Sequence, residues 1–161
     1  MRSSFSSGLL ITFTLALSMG LDIFSWPDAI VKIMPNWTQL TFLYWCIALP
    51  NKVNAGTGWL TGLLVDVLTG SLLGHNALLF SLIALFGNKL YPQIRNYSTW
   101  QQAGFIFLLL LTLQLINFWI RTSFSQVELS YLFWLSTLVS ALCWPTFFST
   151  LRYFRRQYRI K

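Results

Sequence analysis

The chain has 161 residues, of which 55% are hydrophobic and only 9% are charged. A soluble domain carries about 25% charged residues, so the composition excludes a conventional water-soluble domain and indicates that the lipid bilayer is the solvent. The net charge of +7 could indicate a nucleic-acid partner, but the cations lie between apolar runs and at the C-terminus, which favours orientation in a membrane. We expect a single integral membrane domain, residues 1–161, and no nucleic-acid partner.

The apolar runs predict an all-α, polytopic bundle of six transmembrane helices. The first run is interpreted as a retained span and not as a signal peptide, because it continues without a polar break to Phe24. The second run, between Pro35 and Pro50, is short for a full crossing, so it could be tilted, partly re-entrant or shielded by neighbouring helices. The predicted spans are 8–25, 37–50, 56–72, 75–90, 102–120 and 129–149, followed by a basic tail at 151–161.

The charge pattern predicts that both termini lie in the cytoplasm. Six spans place the termini on one side of the membrane, and cytoplasmic segments carry an excess of Lys and Arg. The basic tail at the membrane surface could bind anionic headgroups or a cytoplasmic partner, or it could only orient the chain. The cations on the predicted cytoplasmic side are Arg2, Lys52, Lys89, Arg95, Arg152, Arg155, Arg156, Arg159 and Lys161, and those on the other side are Lys32 and Arg121.

Small residues recur every four positions through the third span, which places them on one face of a helix. In lipid, glycines at this spacing allow another backbone to approach closely. The acid that completes the series, Asp66, is costly to bury unless it is paired. It could handle protons or cations, or it could be a hydrogen-bonded group that fixes helix packing or holds a partner. The predicted helix-packing and partner seam comprises Gly58, Gly62, Asp66, Gly70 and Gly74.

A polar face is predicted on the fifth span, where three residues follow helical spacing. Amides on such a face can hydrogen-bond to other helices, while an arginine at the end of the span can extend to the membrane surface. The same residues could instead line a small-molecule pocket with Trp119 and Trp134. This polar interhelical face comprises Gln114, Asn117 and Arg121. On the first span, Ala16 and Gly20 form another pair of small residues four apart.

The sequence offers no pattern for enzyme chemistry. Cys46 and Cys143 lie inside apolar runs and are expected to be reduced packing residues. His75 is the single histidine and lacks companions for a metal site, so it is expected to be a turn residue. No phosphate-binding, zinc-binding or nucleophile motif is present. We therefore predict no catalytic residue, no metal and no cofactor.

Several motifs fall together in residues 35–77. They are Pro35-Asn36-Trp37, Tyr44-Trp45, Pro50, Gly58, the segment Gly62-Leu63-Leu64-Val65-Asp66-Val67-Leu68-Thr69-Gly70, Leu73-Gly74 and Ala77. In this pattern, in the number of its spans and in its basic tail, the chain resembles the rod shape-determining protein MreD family. The specific part of the resemblance is confined to residues 35–77.

The resemblance implies a multi-pass protein of the bacterial inner membrane that serves the cell-elongation machinery for peptidoglycan. Its implied partners are an MreC-like bitopic membrane protein and, in a larger complex, MreB, RodZ, RodA and a penicillin-binding transpeptidase. It also implies a fold similar to the substrate-binding subunits of energy-coupling-factor transporters. The expected function is a non-enzymatic scaffold that docks the MreC-like partner through transmembrane helices. The alternative is a small-molecule or lipid-binding subunit of a membrane transporter.

Overall fold

The computed structural model describes residues 2–27, 33–124 and 131–157. Within these ranges the chain forms six α-helices and no β-strand, which confirms the all-helical prediction. The helices are α1 (Arg2–Ile23), α2 (Trp37–Ala48), α3 (Ala55–Thr69), α4 (His75–Asn96), α5 (Thr99–Phe124) and α6 (Tyr131–Gln157).

Helix α2 is buried along almost its whole length. Its 12 residues extend only about 18 Å at 1.5 Å per residue, which is short of the roughly 30 Å hydrocarbon core. Helices α1, α4 and α6 pack around it. The Trp45 indole, which is fully buried, donates a hydrogen bond to Thr14 Oγ1 of α1 at 2.9 Å. The short second segment is therefore shielded by its neighbours, one of the alternatives expected for it.

Helices α3 and α4 form a tight antiparallel hairpin. The start of α3 is fixed by a reciprocal cap, in which Asn54 Oδ1 accepts from the Thr57 amide at 3.1 Å and Thr57 Oγ1 accepts from the Asn54 amide at 2.9 Å. Such a capping box satisfies two backbone donors that the helix itself leaves unpaired. The hairpin provides the rigid frame of the candidate site.

Helices α2, α4 and α6 run in the same direction. Phe42 of α2 contacts Phe80 near the start of α4, with ring centroids 5.3 Å apart, whereas a Cβ at Gly87, further along α4, would lie 2.9 Å from Cys46 Cβ. Arg155, near the end of α6, donates to the carbonyl oxygen that ends α2. We call the end where α2 and α4 begin the capped end, and the opposite end, where α6 ends, the basic end.

Two helices contain a proline and extend beyond the predicted ends of their spans. Helix α4 was predicted to end at residue 90 but continues through Pro92 to Asn96, and α6 continues through Pro145 beyond its predicted end at 149. A proline removes one backbone donor, but a membrane helix can continue where the freed carbonyl is satisfied by its surroundings. The first part of the predicted tail, through Gln157, is therefore helical.

Two helices are long and apolar enough to cross a membrane on their own, counted over the described residues. They are His75–Asn96 and the Thr99–Ile120 part of α5; the apolar stretch Gly8–Ile23 is shorter. The outward faces of several helices are also apolar, with Leu64 and Val67 of α3 and Phe13 of α1 more than half exposed. An exposed apolar surface of this extent indicates contact with lipid or with another membrane protein.

Candidate functional site

Asp66, near the end of α3, is the centre of a dense hydrogen-bond cluster. Asp66 is only 1% exposed. Its Oδ1 accepts from the Ser71 hydroxyl at 2.7 Å, from the Asn76 amide at 2.9 Å and from the Asn76 side chain at 3.0 Å. Its Oδ2 accepts from the Gly74 amide at 2.9 Å and from the Ala77 amide at 3.4 Å. The carboxyl group is thus fully engaged with the chain's own turn and with the start of α4.

These contacts make Asp66 the cap of α4. The residue at the cap position itself, Gly74, has no side chain that could accept the first amides of the helix. Asp66 supplies that acceptor from the preceding helix, and a carboxylate at a helix N-terminus is also stabilised by the helix dipole. The sequence left two roles open for Asp66, and this geometry supports the hydrogen-bonded one.

Gly58 and Gly62 lie where α3 contacts the backbone of α4. A Cβ added at Gly62 would lie 2.3 Å from Ala77 Cα, and one at Gly58 would lie 2.6 Å from the Phe80 carbonyl oxygen. Both distances are far below van der Waals contact, so the two backbones approach closely only because the side chains are absent. These two glycines contact the chain's own α4 and are not free for another protein.

Gly70 and Gly74 lie outside the helix face on which the sequence analysis placed them. Helix α3 ends at Thr69, and Gly70 follows it with φ +64°. Gly74 has φ +95°, and a Cβ at either glycine would meet nothing within 4 Å. They are turn residues, because only glycine adopts this backbone region without strain. The glycines at four-residue spacing therefore comprise two packing residues and two turn residues. Helix α3 ends before the predicted end of the span 56–72.

Asp22 of α1 forms a second cap, which the sequence analysis missed. Its Oδ1 accepts from the Trp37 amide at 3.1 Å, and its Oδ2 accepts from the Thr38 amide at 2.9 Å and from the Thr38 hydroxyl at 2.6 Å. Asn36, at the cap position of α2, makes no such bond. The available signal was an acid close to the end of an apolar run, followed further along the chain by a Pro-x-Trp helix start.

Two residues of the predicted polar face of α5 are turned towards the bundle. Asn117 Oδ1 lies 3.1 Å from Nε2 of His75 in α4, and Gln114 is buried. The side chain of Arg121 lies outside the described residues. Trp119 is 73% exposed and so faces away from the bundle, whereas Trp134 contacts Phe118. The residues suggested for a small-molecule pocket therefore do not all face one cavity.

The basic tail residues lie at the basic end. Arg155 Nη1 donates to the Ala48 carbonyl oxygen at 3.3 Å, while Arg152 and Arg156 are exposed. A cation at the C-terminus of α2 is favourable because the last carbonyls there carry partial negative charge. Arg159 and Lys161 lie outside the described residues.

One face of α1 carries small residues that are exposed in the described structure. Gly8, Thr12, Ala16 and Gly20 are four residues apart and all exposed. A Cβ at Gly8 or Gly20 would meet nothing within 4 Å. In contrast to the glycine face of α3, this small-residue face of α1 is open.

The described residues contain no group of three or more His, Cys, Asp or Glu side chains that could hold a metal ion. The two described acids, Asp22 and Asp66, both cap helices of this chain. The arrangement can fix helix register and turn geometry.

A six-helix bundle with an apolar outer surface defines an all-helical membrane protein. The chain belongs to the rod shape-determining protein MreD family, whose model matches residues 1–154. It is 34% identical over 144 residues to the rod shape-determining protein MreD of Haemophilus influenzae (strain ATCC 51907 / DSM 11121 / KW20 / Rd), which covers 87% of this chain and 86% of that protein. No solved structure matches the fold. Membership of the family assigns the chain a role in determining rod shape.

Proposed function

We propose that this protein is a non-enzymatic scaffold of the cell-elongation machinery, which docks the transmembrane helix of an MreC-like partner. It crosses the inner membrane six times with both termini in the cytoplasm. In a larger complex it works with MreB, RodZ, RodA and a penicillin-binding transpeptidase. The likeness to substrate-binding subunits of energy-coupling-factor transporters remains a prediction.

The observation that carries the proposal is the contrast between the glycine face of α3 and the small-residue face of α1. Gly58 and Gly62 are occupied by α4, whereas Gly8 and Gly20 have open space beside them. Small residues four apart let a second membrane helix pack closely and gain dispersion and weak Cα–H···O contacts. This contrast supports a partner face on α1 and a folding role for the α3 seam.

Photo-crosslinking in membranes tests this assignment. A photoreactive residue at Ala16 should capture the MreC-like partner, whereas the same residue at Leu64, on the exposed apolar face of α3, should capture little. The two positions are matched because both are exposed and both lie on apolar helices. Capture from position 64 with none from position 16 would contradict the docking face.

Substitution provides an independent readout. Ala16→Leu fills the α1 face without entering the bundle, so it should abolish partner recovery while the purified protein keeps its helix content and monodispersity. Phe13→Leu, a change between two bulky apolar residues at a neighbouring exposed position, is the control. Undiminished partner recovery by the Ala16→Leu variant would count against docking on α1.

A further inference from the structure

Tyr44, in α2, has a buried hydroxyl group for which the described structure provides no hydrogen-bond partner. The residue is 1% exposed, and its oxygen is fully buried. A buried hydroxyl normally finds a partner, because leaving it unpaired costs about 1–3 kcal/mol. The Tyr44 hydroxyl, one of five buried side-chain atoms without a partner in the described structure, therefore has a donor available to a partner outside the chain.

The surroundings of Tyr44 are aromatic on one side and cationic on the other. Its ring contacts Phe148 of α6, with centroids 5.5 Å apart. Arg152 and Arg155 follow Phe148 at i+4 and i+7, which is the same face of α6, and Arg155 donates to the Ala48 carbonyl oxygen, one helical turn beyond Tyr44. The face of α6 that contacts the Tyr44 ring therefore carries two arginines towards the basic end.

These arginines have unused hydrogen-bonding capacity. Within the described part of the chain, Arg155 makes one hydrogen bond, from Nη1 to the Ala48 carbonyl oxygen, whereas a guanidinium carries five N–H donors. Arg152 is exposed. The two described acids of the chain, Asp22 and Asp66, cap α2 and α4 at the opposite end and so cannot neutralise this pair.

We propose that Tyr44, Arg152 and Arg155 form a binding site for the phosphate of an anionic phospholipid headgroup at the basic end of the bundle. On binding, the side chains that cover the phenol would move aside, a phosphate oxygen would accept from the phenol, and the guanidinium groups would pair with the remaining oxygens, as arginine does with phosphate. The acyl chains would lie along the apolar outer surface of the helices. The site goes beyond general attraction of a basic tail to the membrane, because it contains a buried hydroxyl with fixed geometry.

The sharpest test is Tyr44→Phe, which removes a single oxygen atom. The full-length protein is purified in a neutral detergent, and its thermal unfolding and lipid retention by native mass spectrometry are measured with phosphatidylglycerol or phosphatidylcholine. Without anionic lipid, Tyr44→Phe should be as stable as the parent or more stable, since it removes an unpaired polar atom. With phosphatidylglycerol, the variant should bind roughly tenfold more weakly, which is the effect of losing one hydrogen bond to a charged group.

Two arginine variants distinguish a specific lipid-binding site from general electrostatic attraction to anionic lipid. Arg152→Gln should weaken phosphatidylglycerol retention at least as much as Tyr44→Phe does. The control is Arg95→Gln, which removes the same charge from an exposed position at the end of α4, also at the basic end; it should retain the lipid as the parent does. Equal losses in both arginine variants, or an unchanged Tyr44→Phe, would overturn the proposal.

A final comparison separates a lipid from a soluble anion. Inorganic phosphate is added in place of phosphatidylglycerol, and the thermal shift is measured again. The proposal predicts little or no stabilisation, because the acyl chains provide much of the binding energy. Stabilisation equal to that given by phosphatidylglycerol would show a soluble anion site and contradict the assignment to lipid.

Discussion

Asp22 and Asp66 perform the same task at two places in the chain. Each lies near the end of one helix, and each accepts the first backbone amides of the next helix, whose own cap residue makes no such bond. The first backbone amides of a helix have no partner within the helix, so each carboxyl group stabilises a helix start by accepting from them. The two acids thus connect helices at the capped end.

Asp66→Asn is expected to weaken the turn, and Asp66→Leu is expected to abolish it. Asparagine keeps one acceptor oxygen, but its amide group would face backbone donors, whereas leucine leaves every donor unpaired at about 1–3 kcal/mol for each buried group. Denaturant unfolding of purified protein and rod-shape complementation in cells measure the effect. Equal damage by the two substitutions would contradict the capping role and favour a proton-carrying one.

Asp22→Ala should loosen the start of α2 and leave α4 unaffected. Loss of a helix cap costs about 0.5–2 kcal/mol. Amide hydrogen exchange should therefore accelerate at Trp37 and Thr38, while the Asn76 and Ala77 amides, which are bound by Asp66, keep their protection. Unchanged exchange at Trp37 and Thr38 would show that Asp22 does not cap α2.

At the scale of elements, the α3–α4 hairpin depends on two glycines of α3, which have no side chain to keep the helices apart. Gly62 and Gly58 allow backbone contact with Ala77 and Phe80, and Asp66 then fixes the register of the two helices. The opposite end of the hairpin is held by Asn88, whose Nδ2 donates to the Val53 carbonyl oxygen at 2.8 Å. The hairpin is therefore tied at both ends and packed tightly between them.

Gly62→Ala should destabilise this hairpin strongly, because the new methyl group would lie 2.3 Å from Ala77 Cα and must push the helices apart. Gly104→Ala is the matched control, since its Cβ meets nothing within 4 Å and alanine is a better helix former than glycine by about 0.5–1 kcal/mol. Thermal unfolding should show a large loss for the first variant and no loss for the second. A tolerated Gly62→Ala would contradict the backbone contact.

The importance of Asp66 could be predicted from the sequence, because an acid in an apolar run is costly without a partner. The hydrogen-bond partners of Asp66 could not be predicted, because they depend on the turn that contains Gly70 and Gly74. The positive φ angles of these two glycines cannot be inferred from the spacing of residues in the sequence. Asp22 was missed for a related reason. Its role depends on the position in space of Trp37, 15 residues further along the chain.

At the scale of the whole molecule, short helices are combined with long ones. Helices α2 and α3, with 12 and 15 residues, are shorter than α4, α5 and α6, with 22, 26 and 27. The short α2 is surrounded by α1, α4 and α6 and so has little contact with lipid. The long helices could span the hydrocarbon core, and the excess of cations at the basic end fits a cytoplasmic location.

Thiol labelling in intact cells should place the two ends of the α3–α4 hairpin on opposite sides of the membrane. In a background with Cys46 and Cys143 replaced by serine, an impermeant reagent should label Leu73→Cys at the capped end from outside. Asn51→Cys at the basic end should react only after permeabilisation. The reverse pattern would invert the proposed topology.

Helix α3 turns Gly58, Gly62 and Asp66 towards α4 and its bulky side chains outwards. Spin labels placed only at non-glycine positions of α3 test this orientation through their accessibility to oxygen in a bilayer. The structure predicts high accessibility at Leu60, Leu64 and Val67 and low accessibility at Thr61. Equal accessibility at all four positions, or a maximum at position 61, would contradict the account.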